Sequence, residues 1–454
     1  MKSLALLIFA FTAGVVATNY TPNWNSLDSR PLPLCSRYGS EWIWWKWRNH
    51  SQSDVVEYLD KHFHGQSYAE FAPQFTAEHL DPDGFADIVA ASGAKYFVLT
   101  SKHHEGYTLW PSATSFQWNA VDVGPKRDLV ATLKTAFKKT DVHYGLYFSH
   151  LDWYHPLYIS DDKLNRTDFV DLHELVNQYE PDIIWCDGEW ERRDTYLKSK
   201  EFLVWLYNES PVKDKIVVND RWGEDTLGKH GGFLTHYDHF HPGQLQPRKW
   251  EDAMSLDKHS WGYRQNMKAS DVFTVKEVLL KLARAISCNG NLLLNFGPNR
   301  YGQIVPIFEE RLRSIGNFIK PNSVAIYGTK AWIHQNDGDN VWYTSSVRND
   351  HGLDPRRIFN PQDQENTIIY AWIFDIPDNG TVNLPSVGQT DKTKVAILAT
   401  GTAVNHGSIG KGITVDLHAL PLKKLPSTDV IILKIEYATS LYNPLAPQVT
   451  FTIV

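Results

Sequence analysis

Hydrophobic residues along 76–320 recur with two alternating spacings, one typical of helices and one typical of strands. The first helix is predicted to begin at Pro82, after the capping residue Asp81, and to end at Gly93. An apolar run at 96–100 follows at once and is predicted to form a strand. Consecutive helix and strand units of this kind predict a parallel sheet covered by helices.

The same alternation repeats along the chain. Further helices are predicted near 129–139, 168–180, 195–208, 274–287 and 305–319. Further strands are predicted at 143–148, 182–187, 216–219 and 291–296, with strand-like pieces near 233–237 and 259–263. The number of units favours an α/β fold, a TIM-like (β/α)8 barrel over residues 18–326, rather than an open sheet.

The pattern changes after residue 327 to short β-rich runs separated by turns, for example 341–344 and 368–373. This alternation predicts a C-terminal β-sandwich over 327–454. A polar stretch from 347 to 366 is longer than a hairpin requires, and we interpret it as an insertion.

The chain begins with Lys2 and an apolar run that ends in small residues near Ala17. This predicts a signal peptide at 1–17, and the run is too short for a membrane span. We therefore expect the secretory pathway, with the lysosome or the extracellular space as destination. Acceptor triplets for N-glycosylation occur at Asn19, Asn49, Asn165, Asn208 and Asn379. Pro211 weakens the Asn208 triplet.

The composition is that of a globular protein with large cores, since 42% of the 454 residues are hydrophobic and 21% are charged. A net charge of −7 and a pI near 6.2 argue against nucleic acid as a partner. The 17 Trp and 21 Tyr suit carbohydrate contact, although large cores also use them. Three cysteines exclude a disulfide-rich scaffold.

The segment IIWCDGEWE at 183–191 carries the clearest chemical signal. Cleavage of a glycosidic bond passes through an oxocarbenium-like transition state, which one carboxylate can capture while a second carboxyl group protonates the departing oxygen. Indole rings pack on sugar C–H groups and exclude water. An apolar strand that ends at Asp187, between Trp185 and Trp190, therefore indicates glycoside hydrolysis. On these residues alone, a turn-forming Asp and core-filling Trp remain alternatives.

Polar and aromatic residues also follow the other predicted strands, at the edge where a barrel places its chemistry. The segments concerned are 102–106, 149–153, 219–223, 236–241, 260–264 and 295–298. With KWE at 249–251 and NLLLN at 291–295, these segments resemble, in the same order, the α-L-fucosidases of glycoside hydrolase family 29, the type found in animal lysosomes. The resemblance covers nearly everything after the predicted signal peptide.

The resemblance implies an exo-acting, retaining hydrolase that removes terminal α-L-fucose from glycoproteins or glycolipids by double displacement. It makes Asp187 the nucleophile that becomes covalently fucosylated, with Glu189 and Glu191 as less favoured neighbours. It further implies fucosylated glycans as partners, no cofactor, and a homo-oligomer, commonly a tetramer.

Two carboxyl groups match positions considered for the family's general acid/base. Asp238 follows a predicted strand directly, and Glu251 lies in the KWE segment. We favour Asp238, because its shorter tether suits a group about 5–5.5 Å from the nucleophile. Glu251 remains the alternative, with ordering of the loop as its other possible role.

Sugar-binding residues are carried over from the family position by position. They are Glu41, Trp42, His103, His104, Tyr147, Trp185, Arg221 and Trp261. Trp261 corresponds to an aromatic residue beside the methyl group of fucose. His-x-His pairs at 62–64 and 239–241 raise the question of zinc, but no Cys accompanies them and the family requires no metal, so no metal is expected.

One part of the family pattern is absent. The family's first strand ends in His-Trp-Gly, and nothing similar stands between 30–33 and 39–42, where the sequence is LCSRY. A barrel without that strand would expose two edges and lose a fucose-binding histidine. Either another segment fills the gap, or the sequence is an incomplete gene model or splice form, which we favour. The rival function is a catalytically impaired, secreted fucose-binding homologue.

Overall fold

The computed structural model describes residues 9–13, 40–155, 158, 170–349, 366–418, 420–424 and 430–440. Within these residues, the N-terminal part forms a parallel sheet with helices around it, and the C-terminal part forms antiparallel sheets.

In the described part of the chain, seven strands form the parallel sheet, in the order β5-β4-β3-β2-β1-β7-β6. They are β1 (Phe9–Ala13), β2 (Tyr96–Lys102), β3 (His143–Ser149), β4 (Ile183–Asp187), β5 (Val217–Val218), β6 (Trp250–Ser255) and β7 (Gly290–Asn295). Every residue of β2, β4 and β6 is buried, as expected for parallel strands that are covered on both faces.

Eight α-helices accompany this sheet among the described residues. They are α1 (Ser53–His62), α2 (Pro82–Ala91), α3 (Leu129–Phe137), α4 (Val170–Tyr179), α5 (Asp194–Leu197), α6 (Ser199–Asn208), α7 (Val275–Ser287) and α8 (Pro306–Asn322). Local sequence explains their starts. Asp81 accepts a hydrogen bond from the Gly84 amide at the start of α2, and Thr274 and Glu277 form a capping box at the start of α7.

The predicted strand at 259–263 is wrong, since those residues form bends and coil, and the predicted piece at 233–237 is reduced to one bridge between Leu234 and Trp250. Strand β6 is not among the predicted strands, because its Glu and Asp interrupt the apolar run that marks a buried strand. Residues near 232–235 form hydrogen bonds to both edge strands, β5 and β6. The Gly232 amide donates to the Val218 carbonyl, and the Glu251 amide donates to the Leu234 carbonyl.

Strand β1 occupies the place where the sequence analysis expected no strand. Its backbone pairs in parallel with β2, with Phe11 opposite Phe97, and with β7, with Phe9 opposite Leu292. These residues belong to the predicted signal peptide. Cleavage after residue 17 would remove this strand, and the signal peptide stays a prediction.

The C-terminal part contains a five-stranded, a three-stranded and a two-stranded antiparallel sheet. Their strands are β8 (Lys330–Asn336), β9 (Val341–Val347), β10 (Thr367–Ile373), β11 (Thr381–Leu384), β12 (Val387–Gly388), β13 (Lys394–Ile397), β14 (Asn405–Ile409), β15 (Gly412–Asp416), β16 (Ile431–Glu436) and β17 (Thr439–Ser440). Trp342 and Trp372 belong to the same hydrophobic cluster as the core of the N-terminal part, so the five-stranded sheet packs on its helices. Most of the predicted insertion, 350–365, lies outside the described residues.

The predicted glycosylation sites fall in different environments. Asn208 and Asn379 are exposed, although Ser210 in the first triplet is buried and donates to the Leu206 carbonyl. Asn49 ends a short π-helix, and its side chain lies outside the description, as do Asn19 and Asn165. No helix within the described ranges has the length and apolar character needed to cross a membrane.

Candidate active site

A pocket with a volume of about 150 Å³ opens around the carboxyl end of β4. It is lined by ten of the residues singled out in the sequence: Glu41, Trp42, His103, His104, Tyr147, Trp185, Asp187, Arg221, Asp238 and Trp261. These side chains come from segments up to 220 positions apart, and the carboxyl ends of the parallel strands bring them together.

Asp187 is the last residue of β4 and is held from two sides. The Tyr147 hydroxyl donates to its Oδ2 at 2.6 Å, and Arg221 Nη1 donates to its Oδ1 at 3.0 Å. The Nε2 atom of His104 lies 3.8 Å from Oδ2. The Asp187 side chain is 12% exposed, so its carboxylate faces the pocket from a fixed position.

Arg221 joins the two predicted catalytic carboxylates. Its Nη2 donates to Asp238 Oδ1 at 2.6 Å while its Nη1 donates to Asp187, and its Nε donates to Thr235 at 2.9 Å. One planar guanidinium therefore fixes the spacing of both carboxylates. The Asp238 side chain is 41% exposed, against 12% for Asp187, and so lies nearer to solvent.

Glu251, the alternative acid/base, does not line the pocket. It points into the interior of the sheet from β6 and is 2% exposed. Trp185 Nε1 donates to its Oε1 at 2.8 Å, and Tyr96 and Asn291 donate to its Oε2. Burial raises the pKa of this carboxyl group, and the three hydrogen bonds oppose that change.

The polar groups at the pocket wall are themselves positioned by neighbours. The Nδ1 atom of His104 lies 2.7 Å from Ser149 Oγ, and burial, followed by the charge of His103, lowers the pKa of the His104 ring well below 6.5. The imidazole therefore stays neutral. Glu41 Oε2 accepts from Ser260 Oγ at 3.2 Å and from the Gly262 amide at 3.4 Å.

The sequence analysis did not assign five residues that also line the pocket, namely Thr100, Trp190, Ala253, Leu293 and Asn295. Trp190 is 39% exposed and stacks on Trp42 with ring centroids 5.7 Å apart. Its place three residues after Asp187 was a usable signal. Asn295 donates to the Trp261 carbonyl at 2.6 Å. Its place at the end of β7 was a second usable signal in the sequence. Ala253 and Leu293 carry no chemical signal in sequence.

Glu189 is a buried acid two residues after Asp187. Burial, then the charge of Asp187, raises its pKa from 4.5 to about 7. Its Oε2 is buried without a hydrogen-bond partner within the described part of the chain. A protonated Glu189 adds no second negative charge beside Asp187, so the folded protein favours the neutral acid.

This arrangement predicts a pH-dependent stability. An acid whose pKa is raised by folding stabilises the protein below its unfolded value of 4.5, and that contribution is lost as the pH rises to about 7. Glu189→Gln should remove this loss, so that the fall in the free energy of unfolding between pH 4.5 and 7.5 is smaller than in the wild type by about 3 kcal/mol. Urea unfolding at both pH values measures the difference.

The matched control is Glu57→Gln, on the exposed face of α1, which should follow the wild type. Asp252, whose pKa is also raised to about 7 by burial, titrates in all three proteins and cancels in the comparison. If the Glu189→Gln variant kept the pH dependence of the wild type, Glu189 would not be neutral in the folded protein.

Metal ligands were considered at the His-x-His segments. Across the ranges given above for the described chain, no group of three or more His, Cys, Asp or Glu residues could hold a metal ion. The polar atoms of the pocket instead contact one another, through the Arg221, Tyr147 and His104 contacts to Asp187.

Family models and relatives match nearly the whole chain. The α-L-fucosidase model matches residues 7–324, and the α-L-fucosidase C-terminal domain model matches residues 335–436. A putative α-L-fucosidase from Caenorhabditis elegans is 49% identical, covering 94% of this chain and 95% of its own. The tissue α-L-fucosidase of Homo sapiens is 42% identical, covering 93% and 94%.

A solved structure agrees with both domains. The Thermotoga maritima α-fucosidase, crystallised with a mechanism-based inhibitor, superposes with a TM-score of 0.73 at 27% identity and covers 94% of each chain. The pocket geometry, the two family models and the relatives lead to one assignment. The chain belongs to the α-L-fucosidases, glycoside hydrolase family 29.

Proposed function

We propose that this protein is a retaining exo-α-L-fucosidase that removes terminal α-L-fucose from glycoproteins or glycolipids. The observation that carries the proposal is the pair Asp187 and Asp238, bridged by Arg221 at the wall of one small pocket. A pocket of about 150 Å³ whose wall carries carboxylate, imidazole and indole groups suits a single sugar residue.

In the first step, an Asp187 oxygen attacks the anomeric carbon of bound fucose. The bond from that carbon to the glycosidic oxygen breaks, and Asp238 gives its proton to the departing oxygen. Asp187 becomes ester-linked to fucose, and the aglycone leaves as an alcohol. Arg221 and Tyr147, which bond to Asp187 in the free protein, direct its oxygens toward the sugar.

In the second step, Asp238 has lost its proton and acts as a base. It takes a proton from a water molecule, whose oxygen attacks the anomeric carbon and displaces Asp187. Two inversions give net retention of configuration. The greater exposure of Asp238 supports this role, because the group that meets the aglycone and then water must face the pocket mouth.

We propose that Glu251 supports the site from beneath instead of donating a proton to substrate. It accepts from Trp185 Nε1, and Trp185 stacks on Tyr147, with ring centroids 5.6 Å apart. Tyr147 in turn donates to Asp187. Glu251 therefore orients the nucleophile through two aromatic rings, and it has no contact with the pocket space.

Fucose recognition is assigned to the remaining pocket residues. His103, His104 and Glu41 supply groups that can bond sugar hydroxyls, and Trp42 covers one edge of the sugar. Trp261, fixed by Asn295, is placed to pack on the methyl group. One buried methyl provides only about 1–3 kcal/mol of selectivity, so the hydroxyl contacts must supply the rest.

Several wider assignments belong to the same proposal. We assign residues 18–326 to a (β/α)8-like barrel that lacks its first strand once the leader is removed, and 327–454 to the β-sandwich, which the start of β8 at Lys330 supports. Residues 1–17 are assigned to a signal peptide, with a lysosomal or extracellular destination, fucosylated glycans as partners and a tetrameric assembly. The relatives named as tissue and plasma α-L-fucosidases support a secretory location.

The test is hydrolysis of 4-nitrophenyl α-L-fucoside by the purified full chain, followed by proton NMR in deuterated buffer. We expect 4-nitrophenol release, with α-L-fucose as the first anomer before mutarotation. An initial β-anomer would overturn the retaining mechanism. Fucose binding in calorimetry without turnover would favour the binding-only homologue, which the meeting of Asp187 and Asp238 in one pocket disfavours.

A further inference from the structure

The segment that carries Asp238, here called the acid loop and comprising residues 236–249, connects Thr235 to the start of β6. Its backbone is strained on both sides of Asp238. His236 has φ = 50° and His239 has φ = 59°, in the left-handed region that side chains disfavour. Such conformations persist only where surrounding contacts hold them in place, so the position of Asp238 depends on what the loop rests against.

Contacts to the barrel hold the first half of the loop. Arg221 donates to Asp238, and the His239 amide donates to the Ala253 carbonyl at 3.0 Å. Phe240 packs edge-on against Trp250, with ring centroids 5.3 Å apart. The far end is held where the Gln246 amide donates to the Cys288 carbonyl at 3.1 Å. Between these ends, the loop passes over the junction with the C-terminal domain.

At that junction, His241 contacts Trp342 of β9, with ring centroids 6.4 Å apart. Trp342 is only 4% exposed, and its Nε1 donates to the Asp339 carbonyl at 3.1 Å. The Arg284 guanidinium, from α7, lies 5.5 Å from the centre of the Trp342 ring. Trp342 is therefore a fixed surface between a barrel helix and the acid loop.

His241 makes this contact as a neutral ring. Both of its nitrogens are buried without a hydrogen-bond partner in the portion of the chain that is described. Burial, together with the nearby charges of Arg284 and Lys281, lowers its pKa to about 4. The contact with Trp342 is consequently one of ring packing. An aromatic ring of similar size at position 241 should therefore preserve the contact and the activity.

We propose that Trp342 of the C-terminal domain is a positioning residue for the general acid, because it seats His241 and thereby holds the strained acid loop with Asp238 beside the substrate. The proposal rests on the proposed function of Asp238. It gives the C-terminal domain a part in one chemical step, protonation of the leaving group, although the domain contributes no residue to the pocket lining described above.

The test compares two substrates that differ in their need for an acid. An α-linked fucosyl disaccharide has an alcohol leaving group that must be protonated, whereas fluoride leaves α-L-fucosyl fluoride with little help from an acid. Trp342→Leu and His241→Ala should lower kcat/KM for the disaccharide by roughly 10- to 100-fold and for the fluoride by less than about threefold. His241→Phe should retain wild-type activity on both.

The matched control is Trp372→Leu. Trp372 is paired directly with Trp342 between β9 and β10 and packs on the barrel through Phe318, 5.9 Å away. This variant should lower kcat/KM for both substrates by the same factor or for neither. The reason is that Trp372 supports the same domain junction without seating His241. Circular dichroism and the melting temperature establish that each variant folds.

Three outcomes would overturn the proposal. The Trp342 variant could lose kcat/KM equally on both substrates, it could lose kcat/KM on neither, or the Trp372 variant could show the same selective loss of kcat/KM on the disaccharide. Failure of the underlying function has a different signature. If Asp238→Asn itself showed no dependence on the leaving group, Asp238 would not be the acid, and the positioning role of Trp342 would end with it.

Discussion

Replacement of Asp187 by glycine is expected to lower kcat on 4-nitrophenyl α-L-fucoside by roughly 10⁴-fold or more, because it removes the carboxylate that forms the covalent intermediate. Arg221 and Tyr147 both aim their donors at this one side chain. Glu189, two residues away, is held largely neutral at acidic pH and is a poor substitute. The measurement is the steady-state rate of 4-nitrophenol release.

Azide provides a second readout for the same variant. The small anion can enter the space left by the carboxylate, bond to the anomeric carbon and expel 4-nitrophenolate, so that β-L-fucosyl azide accumulates. Glu189→Gln is the neighbouring control and should neither lose most activity nor respond to azide. A Glu189 variant that formed the azide product, or an Asp187→Gly variant that turned over normally, would assign the nucleophile elsewhere.

The second large effect is expected from Asp238→Asn, which should lose roughly 10²- to 10⁴-fold in kcat/KM on fucosyl disaccharides. On 2,4-dinitrophenyl α-L-fucoside, whose leaving group departs without a proton, the loss in the first step should be small. The reason is the pocket-facing, partly exposed position of Asp238 beside the nucleophile. A plot of log kcat/KM against the pKa of the leaving group measures this dependence.

Glu251→Gln is the matched comparison for Asp238→Asn. Glutamine keeps the volume of the buried side chain but weakens the hydrogen bonds from Trp185, Tyr96 and Asn291, at a cost of about 1–3 kcal/mol in stability. Its kcat/KM should fall by the same factor for every leaving group, because its effect passes through Trp185 and Tyr147. The reverse pattern in the two variants would make Glu251 the acid.

Local sequence was sufficient for the elements with strong signals. Helix α7 was predicted at 274–287 and lies at Val275–Ser287, because its capping box and apolar periodicity agree. Strand β4 was predicted at 182–187 and lies at Ile183–Asp187. Strand β6 was not found, because the partners that make a buried Glu251 acceptable, Tyr96 and Asn291, are 155 and 40 residues away in the chain.

The first strand shows a second limit of prediction from local sequence. The apolar run near the N-terminus has the pattern of a signal peptide, and hydrophobicity alone cannot distinguish a leader from a buried parallel strand. Pairing with β2 and β7 decides where residues 9–13 lie in the uncleaved chain. Trp190 is a partly similar case: its place after Asp187 indicated a site residue, and its exposure and its stacking on Trp42 show a pocket wall instead of a core residue.

By itself the sequence determined which residues could carry the chemistry, because parallel strands place the residues that follow them at one edge of the sheet. It thereby indicated Asp187 at the end of β4, whereas Asp238 was carried over from the family resemblance and lies in the same pocket. Tertiary structure alone decided how these groups are used: that Arg221 spans both carboxylates, that Glu251 is turned away beneath Trp185, and that Trp342 supports the acid loop. These facts depend on contacts between distant segments, whose register and depth no local pattern of polar and apolar residues records.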